Sequence, residues 1–148
     1  MHFHSCIHLG GEFALKHLLC LTTGSPLLNR PSTTSQETLN LPEFITYKTT
    51  GAPSDLLGKD APFDFPPFAV DANARHIHVN LNFQLTWSAK QENYNRTSDH
   101  YLIYTEHMWD NGRFLLMGLI TPAHERMRAR DTRSLSYFSE IAENFHAS

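Results

Sequence analysis

One stretch decides the fold: residues 76–85 read His-Ile-His-Val-Asn-Leu-Asn-Phe-Gln-Leu. Polar and apolar residues alternate over all ten positions, and a period of two is typical of a β-strand. The pattern therefore predicts a strand over 76–85 with one face toward a core. Its apolar face carries Ile77, Val79, Leu81, Phe83 and Leu85, and its polar face carries His76, His78, Asn80, Asn82 and Gln84.

Two more strands and a helix are predicted after this one. The strands run from about Tyr101 to His107 and from about Arg113 to Thr121, and Asp110-Asn111-Gly112 offers the φ > 0 residues of a tight hairpin turn. The run 114–120 is continuously apolar, which is typical of a strand buried on both faces. An amphipathic C-terminal helix, capped near Asp131 or Thr132, is predicted from apolar residues at helical spacing. These are Leu135, Phe138, Ile141, Ala142 and Phe145.

The segment before residue 76 predicts helices and an ordered loop. Glu43 to Lys48 suits one or two helical turns ended by Gly51, with Pro42 either ending an earlier helix or opening this one. The Pro- and Gly-rich residues 51–67 read as a loop that packs its own apolar side chains. Thr34 and Glu37 have capping-box spacing, so a short helix is also expected there. The fold class is thus α+β: N-terminal helices, an antiparallel meander and a C-terminal helix.

Composition limits the function. The chain has 148 residues, a formal net charge of −3 and 10 histidines. That length suits one domain, here 41–148, preceded by an N-terminal extension and linker over 1–40. The negative net charge excludes binding to nucleic acid by bulk charge alone. Two cysteines do not make a disulfide framework, and no apolar run is long enough to span a membrane, so a soluble cytoplasmic protein is expected.

The histidines are the first candidates for chemistry. His76 and His78 lie on one strand face, where a pair of imidazoles can share acid and base work near neutral pH. The alternative is that they are simply polar residues on a solvated sheet face. No third ligand marks a metal site, and the array His2, His4, Cys6 and His8 is too extended to surround one zinc ion.

Two basic features could contact phosphate. Arg96 in the string Arg-Thr-Ser-Asp (96–99) would suit phosphate recognition beside an orienting Asp99, or the two would form an ion pair that ties down a loop. Between the last strand and the last helix come His124, Arg126, Arg128 and Arg130. They would project to one side if the segment is extended and would spread around the axis if it is helical. A solvated charged connector is the alternative.

Several strings then resemble, in order, the YafO family of toxins. They are 44–48 (Phe-Ile-Thr-Tyr-Lys), 57–64 (Leu-Gly-Lys-Asp-Ala-Pro-Phe-Asp), 76–78, 96–99, 102–104 (Leu-Ile-Tyr) and the segment 126–131 before the final helix. The resemblance covers roughly residues 43–146, and the first forty residues match poorly. One departure is that His100-Tyr101 follows Asp99, where some relatives carry a histidine just before the Leu-Ile-Tyr strand.

The resemblance implies a type II toxin–antitoxin toxin, with a RelE-like antiparallel sheet and helices on one face. It implies a ribosome-dependent endoribonuclease that cleaves translated mRNA, with a neighbouring antitoxin as partner. Metal-free RNA cleavage needs a base, an acid and cations, so chemistry assigns His76 and His78 as acid and base and Arg96 to the phosphate. Asp99 would orient Arg96 or a histidine. No metal and no cofactor are expected. The expected RNA or ribosome contacts are Lys59, Tyr104, His124, Arg126, Arg128 and Arg130.

Two alternatives stay open at this point. Folds related to this one include toxins that poison DNA gyrase by binding, so a non-enzymatic toxin is the second hypothesis. An inactive toxin remnant is the third.

Overall fold

The computed structural model describes residues 19–22 and 41–148. Five strands and four helices follow one another as β1 (Leu19–Thr22), α1 (Leu41–Thr50), β2 (Leu57–Pro62), α2 (Pro67–Asp71), β3 (Ala74–Val79), β4 (Tyr101–Glu106), β5 (Arg113–Ile120), α3 (Ala123–Arg128) and α4 (Arg133–His146). The strands form one antiparallel sheet in the order β1-β5-β4-β3-β2. The α+β class, the hairpin-linked strands β4 and β5 and the C-terminal helix are confirmed. The short helix expected after Thr34 and the N-terminal histidine array lie outside the described residues.

Helices cover both faces of the sheet, whereas a covering on one face was expected. On the first face, α1 places Phe44 and Tyr47 against a core that includes Ile77 and Leu116. On the second face, α4 packs its apolar stripe against a separate core that includes Ile103 and Met117. Burial of β5 on both faces follows from this arrangement and confirms the prediction.

The strand predicted over 76–85 is shorter than expected, because it ends at Val79. Asn80 is the reason: its side-chain amide donates to the carbonyls of Asp55 and Leu85, and its side-chain oxygen accepts from the Leu85 N–H. These bonds fold residues 81–83 into a short 3-10 turn. A side chain that satisfies nearby main-chain groups competes with strand pairing in this way. Phe83 and Leu85 are exposed instead of facing a core.

Residues 51–67, predicted as a loop, contain the edge strand β2 and the start of α2. The strand reads Leu-Gly-Lys-Asp-Ala-Pro, which lacks the β-branched and aromatic residues that normally signal a strand. Pairing with β3 creates it. Helix α1 begins as expected with Pro42 in its first turn, and Gly51 ends it at φ +67°, donating its N–H to the Tyr47 carbonyl.

None of the helices within 41–148 has the length and apolar character needed to cross a membrane.

Candidate active site

Three histidines and a tyrosine meet at one end of the sheet face that α4 covers. His76 and His78 point to that face from β3, and Tyr101 of β4 lies directly across from His78 in register. The Tyr101 ring stacks on His76 with 4.4 Å between centroids and meets His78 edge-on at 4.6 Å. His124, in the first turn of α3, places its ring 6.0 Å from that of His78. These four side chains, His76, His78, Tyr101 and His124, are called the histidine cluster below.

His78 is buried and held through one ring nitrogen. Its Nδ1 lies 2.8 Å from both the main-chain nitrogen and the main-chain oxygen of Ser98, so it either accepts from that N–H or donates to that carbonyl. Burial lowers the pKa of His78, the nearby His124 and Lys59 lower it further, and the Ser98 hydrogen bond opposes them. His78 is therefore neutral at pH 7, with Nε2 left for proton transfer.

Asp99 orients His124. The carboxylate accepts a hydrogen bond from the His124 main-chain N–H at 2.6 Å, and the same Oδ1 lies 3.2 Å from the ring Nδ1. The Asp99 carbonyl also accepts from the Ala123 N–H, which fixes the start of α3. Of the two partners expected for Asp99, an arginine or a histidine, the structure brings it to the histidine. The half-exposed ring of His124 keeps contact with solvent.

His76 is packed between aromatic rings, with the ring of His78 5.7 Å away. Its ring lies 4.8 Å from Phe63 on one side and stacks on Tyr101 on the other. Burial lowers the pKa of His76 to about 4, and His78 adds to the effect. Within the described residues its Nδ1 is buried and has no hydrogen-bond partner. A ring that stays uncharged and packed positions its neighbours rather than exchanging protons at pH 7.

Lys59 supplies positive charge to the site. It lies on β2 next to β3, and its charge lowers the pKa of both His76 and His78. Its ammonium nitrogen stands 4.4 Å from the ring centre of Tyr94, an exposed side chain. This pair puts a cation and an aromatic surface at the edge of the histidine cluster.

The structure places Arg96 away from the cluster, inside the protein. The side chain is 1% exposed, and its three guanidinium nitrogens donate to the main-chain carbonyls of Ser54, Ser88 and Gln91. Through these bonds Arg96 ties the segment before β2 to the loop between β3 and β4. Its burial argues against the expected role at the phosphate and favours a structural one.

Tyr104 is likewise displaced from its expected role in stacking or orienting RNA. It is fully buried on the opposite sheet face, under α1. Its hydroxyl donates to Asp60 and accepts from Lys48 and Arg75, and burial followed by the Asp60 charge raises its pKa. Lys48, Asp60 and Arg75 thus form an ionic network that attaches α1 to the sheet. Several residues that carry the family resemblance have this structural function.

The basic segment after β5 is helical at its start: Arg126 and Arg128 lie on α3, and Arg130 follows the end of that helix. The Nη1 atom of Arg126 lies 3.9 Å from Oδ2 of Asp131, and the Arg128 side chain is exposed. Arg130 adopts a positive φ of 52° and places its guanidinium 5.5 Å from the centre of the Phe65 ring. Phe65 lines the cavity that adjoins the histidine cluster, so Arg130 is the one of these three arginines that stands beside that cavity.

Sequence reasoning missed Tyr101 and Tyr94. The only signal for Tyr101 was its position at the start of a predicted strand, and the register that sets it opposite His78 was needed to give it meaning. No group of three or more His, Cys, Asp or Glu residues in the described part of the chain is arranged to hold a metal ion.

Comparison with known proteins bears on this site. The model of the family described as Toxin YafO, type II toxin-antitoxin system, matches residues 45–147, a range that contains every residue of the cluster. The mRNA interferase toxin YafO of Escherichia coli (strain K12) is 28% identical over 107 residues, which cover 70% of this chain and 80% of that protein. No solved structure matches. Because the family model spans well over half of its length, this chain belongs to the YafO toxin family of type II toxin–antitoxin systems.

Proposed function

We propose that this chain is an endoribonuclease that cleaves mRNA on the translating ribosome in the cytoplasm, without a metal ion. The observation that carries the proposal is the pairing of His78 and His124, whose rings lie 6.0 Å apart and are each held by a separate partner. Two imidazoles at this separation can each reach a different oxygen of one phosphodiester. Membership of a toxin family and the name of the Escherichia coli relative, an mRNA interferase, support the same reaction class.

The reaction uses the 2′-hydroxyl of the RNA itself. A base removes the proton from that hydroxyl, its oxygen attacks the adjacent phosphorus, and the bond from phosphorus to the 5′-oxygen breaks. An acid gives a proton to the leaving 5′-oxygen. The products are a 2′,3′-cyclic phosphate on one fragment and a 5′-hydroxyl on the other, so the enzyme ends with its two groups in exchanged protonation states. General acid and base groups typically contribute about 10²–10⁴-fold each.

His78 is the base in this scheme. Burial and two neighbouring cationic side chains lower its pKa, so the ring is unprotonated at neutral pH. The Ser98 main chain holds Nδ1, and a proton taken up at Nε2 is accommodated when Nδ1–H donates to the Ser98 carbonyl. The same contact fixes the ring plane.

His124 is the acid, and Asp99 positions it. A carboxylate 3.2 Å from Nδ1 orients the ring so that Nε2 can face the leaving oxygen, as in other pairs of aspartate and histidine. Lys59 takes over the phosphate contact first assigned to Arg96, because it is the cation whose charge reaches both β3 histidines. His76 positions Tyr101 and His78 by packing.

RNA contacts beyond the cluster fall on α3 and on the loop before β4. Arg126 and Arg128 are proposed to contact the phosphate backbone of the mRNA or of ribosomal RNA. Tyr94 offers an exposed ring next to Lys59 on which a base can stack. A cognate antitoxin, expected for a toxin of this family, would inhibit by covering the same surface. We do not retain the non-enzymatic alternative, because the relative is named as an mRNA interferase.

The test is cleavage of a defined mRNA in reconstituted translation, with and without ribosomes. His78→Asn and His124→Asn keep a polar atom near the Nδ1 position but remove Nε2, so both are expected to lose at least 10²-fold in rate while remaining folded. His146→Gln is the matched control: this histidine lies at the other end of the same sheet face, and glutamine can keep its bond to the Ala72 carbonyl. Full cleavage by either asparagine variant would overturn the assignment. A stoichiometric transition metal in the purified protein would contradict metal independence.

A further inference from the structure

A cavity of about 260 Å³ opens beside the histidine cluster. It shares the His76 and Tyr101 side chains with the cluster, so whatever occupies it lies next to the reacting phosphate. Phe63, Phe65 and Met127 supply most of its other walls. Walls of this kind bind a flat apolar surface.

The Phe65 ring is unusually available for stacking. It is 48% exposed although it is large and apolar, and the Arg130 guanidinium stands 5.5 Å from its centre. Arg130 holds a φ of 52°, a conformation that non-glycine residues rarely adopt. An exposed aromatic ring with an adjacent arginine is a common platform for an unpaired nucleobase.

The cavity also carries one carboxylate, that of Asp64. Among the described residues nothing hydrogen-bonds to it, and it is exposed. A carboxylate only accepts hydrogen bonds, and it repels phosphate. The group that fits it is therefore a base edge with parallel N–H donors. Guanine presents two such donors on its Watson–Crick edge, N1–H and the N2 amino group, whereas uracil presents one.

We propose that this cavity binds a guanine base of the RNA strand next to the scissile phosphate, with Phe65 stacking on the ring and Asp64 accepting from its Watson–Crick edge. The inference rests on the proposed nuclease function for the neighbouring phosphate, but it assigns separate residues to base selection. Phe65 and Asp64 are specificity residues and take no part in proton transfer.

The first test measures binding of free nucleotides to the full chain by NMR titration, which needs no cleavage. Guanosine 5′-monophosphate is expected to bind at least about tenfold more tightly than uridine 5′-monophosphate. Phe65→Ala is expected to weaken guanosine monophosphate binding by about tenfold, which is the change in affinity expected when one base–aromatic stacking contact is lost. Asp64→Asn is expected to bring the two nucleotides close to equal affinity. Phe83→Ala is the control, because that ring is also exposed but lines a different cavity.

The second test maps cleavage positions in reconstituted translation. Asp64→Asn is expected to reduce the frequency of guanine, relative to the other bases, at the positions that are cleaved. The proposal is overturned if the two nucleotides bind equally, if neither binds, or if Phe65→Ala changes nothing. If guanosine monophosphate binds as expected and mRNA stays intact, the base pocket stands and the nuclease function fails. If mRNA is cut and neither nucleotide binds, the nuclease function stands and the base pocket fails.

Discussion

Replacing Arg96 by alanine separates a structural arginine from a catalytic one. The three guanidinium donors bond to the carbonyls of Ser54, Ser88 and Gln91, and the side chain is 1% exposed. A hydrogen bond to a charged group contributes about 1.5–3 kcal/mol net, so losing all three costs about 4.5–9 kcal/mol if they act independently. For a domain of this size that corresponds to a fall in Tm of roughly 15 °C or more.

The assay is thermal unfolding followed by circular dichroism, paired with mRNA cleavage well below the lowered Tm. Arg128→Ala is the matched control, since that arginine is exposed and its loss is expected to change stability by no more than about 0.5 kcal/mol. We expect Arg96→Ala to melt early and to retain cleavage in proportion to its folded fraction. A variant that melts like the original protein and cleaves nothing would refute this reasoning and return Arg96 to the phosphate.

Four further predictions concern the cluster and its support. Burial lowers the pKa of His76 to about 4 in the folded protein, against about 6.5 when unfolded, so the unfolded chain takes up the proton first on acidification. The contribution of His76 to the free energy of unfolding is therefore complete above pH 6.5 and falls by about 3 kcal/mol toward pH 4. Denaturant melts should therefore show that the original protein loses about 3 kcal/mol more than His76→Phe between pH 6.5 and pH 4, and equal losses in the two proteins would contradict this. Because burial also lowers the pKa of His78, the acidic limb of the pH–rate profile should lie below pH 6.5, and a limb at or above that value argues against His78 as the base. Asp99→Asn keeps an acceptor for the start of α3 but removes the charge beside His124, so cleavage should fall by roughly 10-fold or more with little change in Tm, and unaltered kcat would remove Asp99 from the site. Gly58→Ala would place a Cβ 2.2 Å from the Arg96 carbonyl oxygen, so chemical denaturation should report a loss of about 1–3 kcal/mol or more, whereas a neutral change would show that β2 can shift.

The parts of the fold that followed from sequence were those set by regular patterns. In helix α4 apolar residues recur at helical spacing, and strands β4 and β5 are largely apolar runs, so few other secondary structures fit these segments. The predicted strand was too long at β3, because the alternation of polar and apolar residues continues past Val79. The hydrogen bonds of the Asn80 side chain end the strand, and the alternation pattern gives no sign of them. Strand β2 lacks strand-forming residues and exists because β3 pairs with it.

The same rule applies to the candidate site. His76 and His78 could be placed on one face of the sheet because residues two positions apart on a strand point to the same side. His124 was noticed as part of a basic segment, and its partnership with Asp99 depends on a loop and a helix start that meet only in three dimensions. Arg96 was assigned to the phosphate because an arginine beside an aspartate suits phosphate recognition, but its burial, which the residue type does not report, favours the alternative of a structural role.

The most direct test of the His78–His124 mechanism uses an mRNA with a single 2′-deoxynucleotide at a mapped cleavage position, presented on reconstituted ribosomes. Cutting is expected to stop at that position alone, and fragments cut elsewhere are expected to end in a 2′,3′-cyclic phosphate opposite a 5′-hydroxyl. Continued cutting at the deoxy position, or fragments that end in a 3′-hydroxyl and a 5′-phosphate, would contradict it.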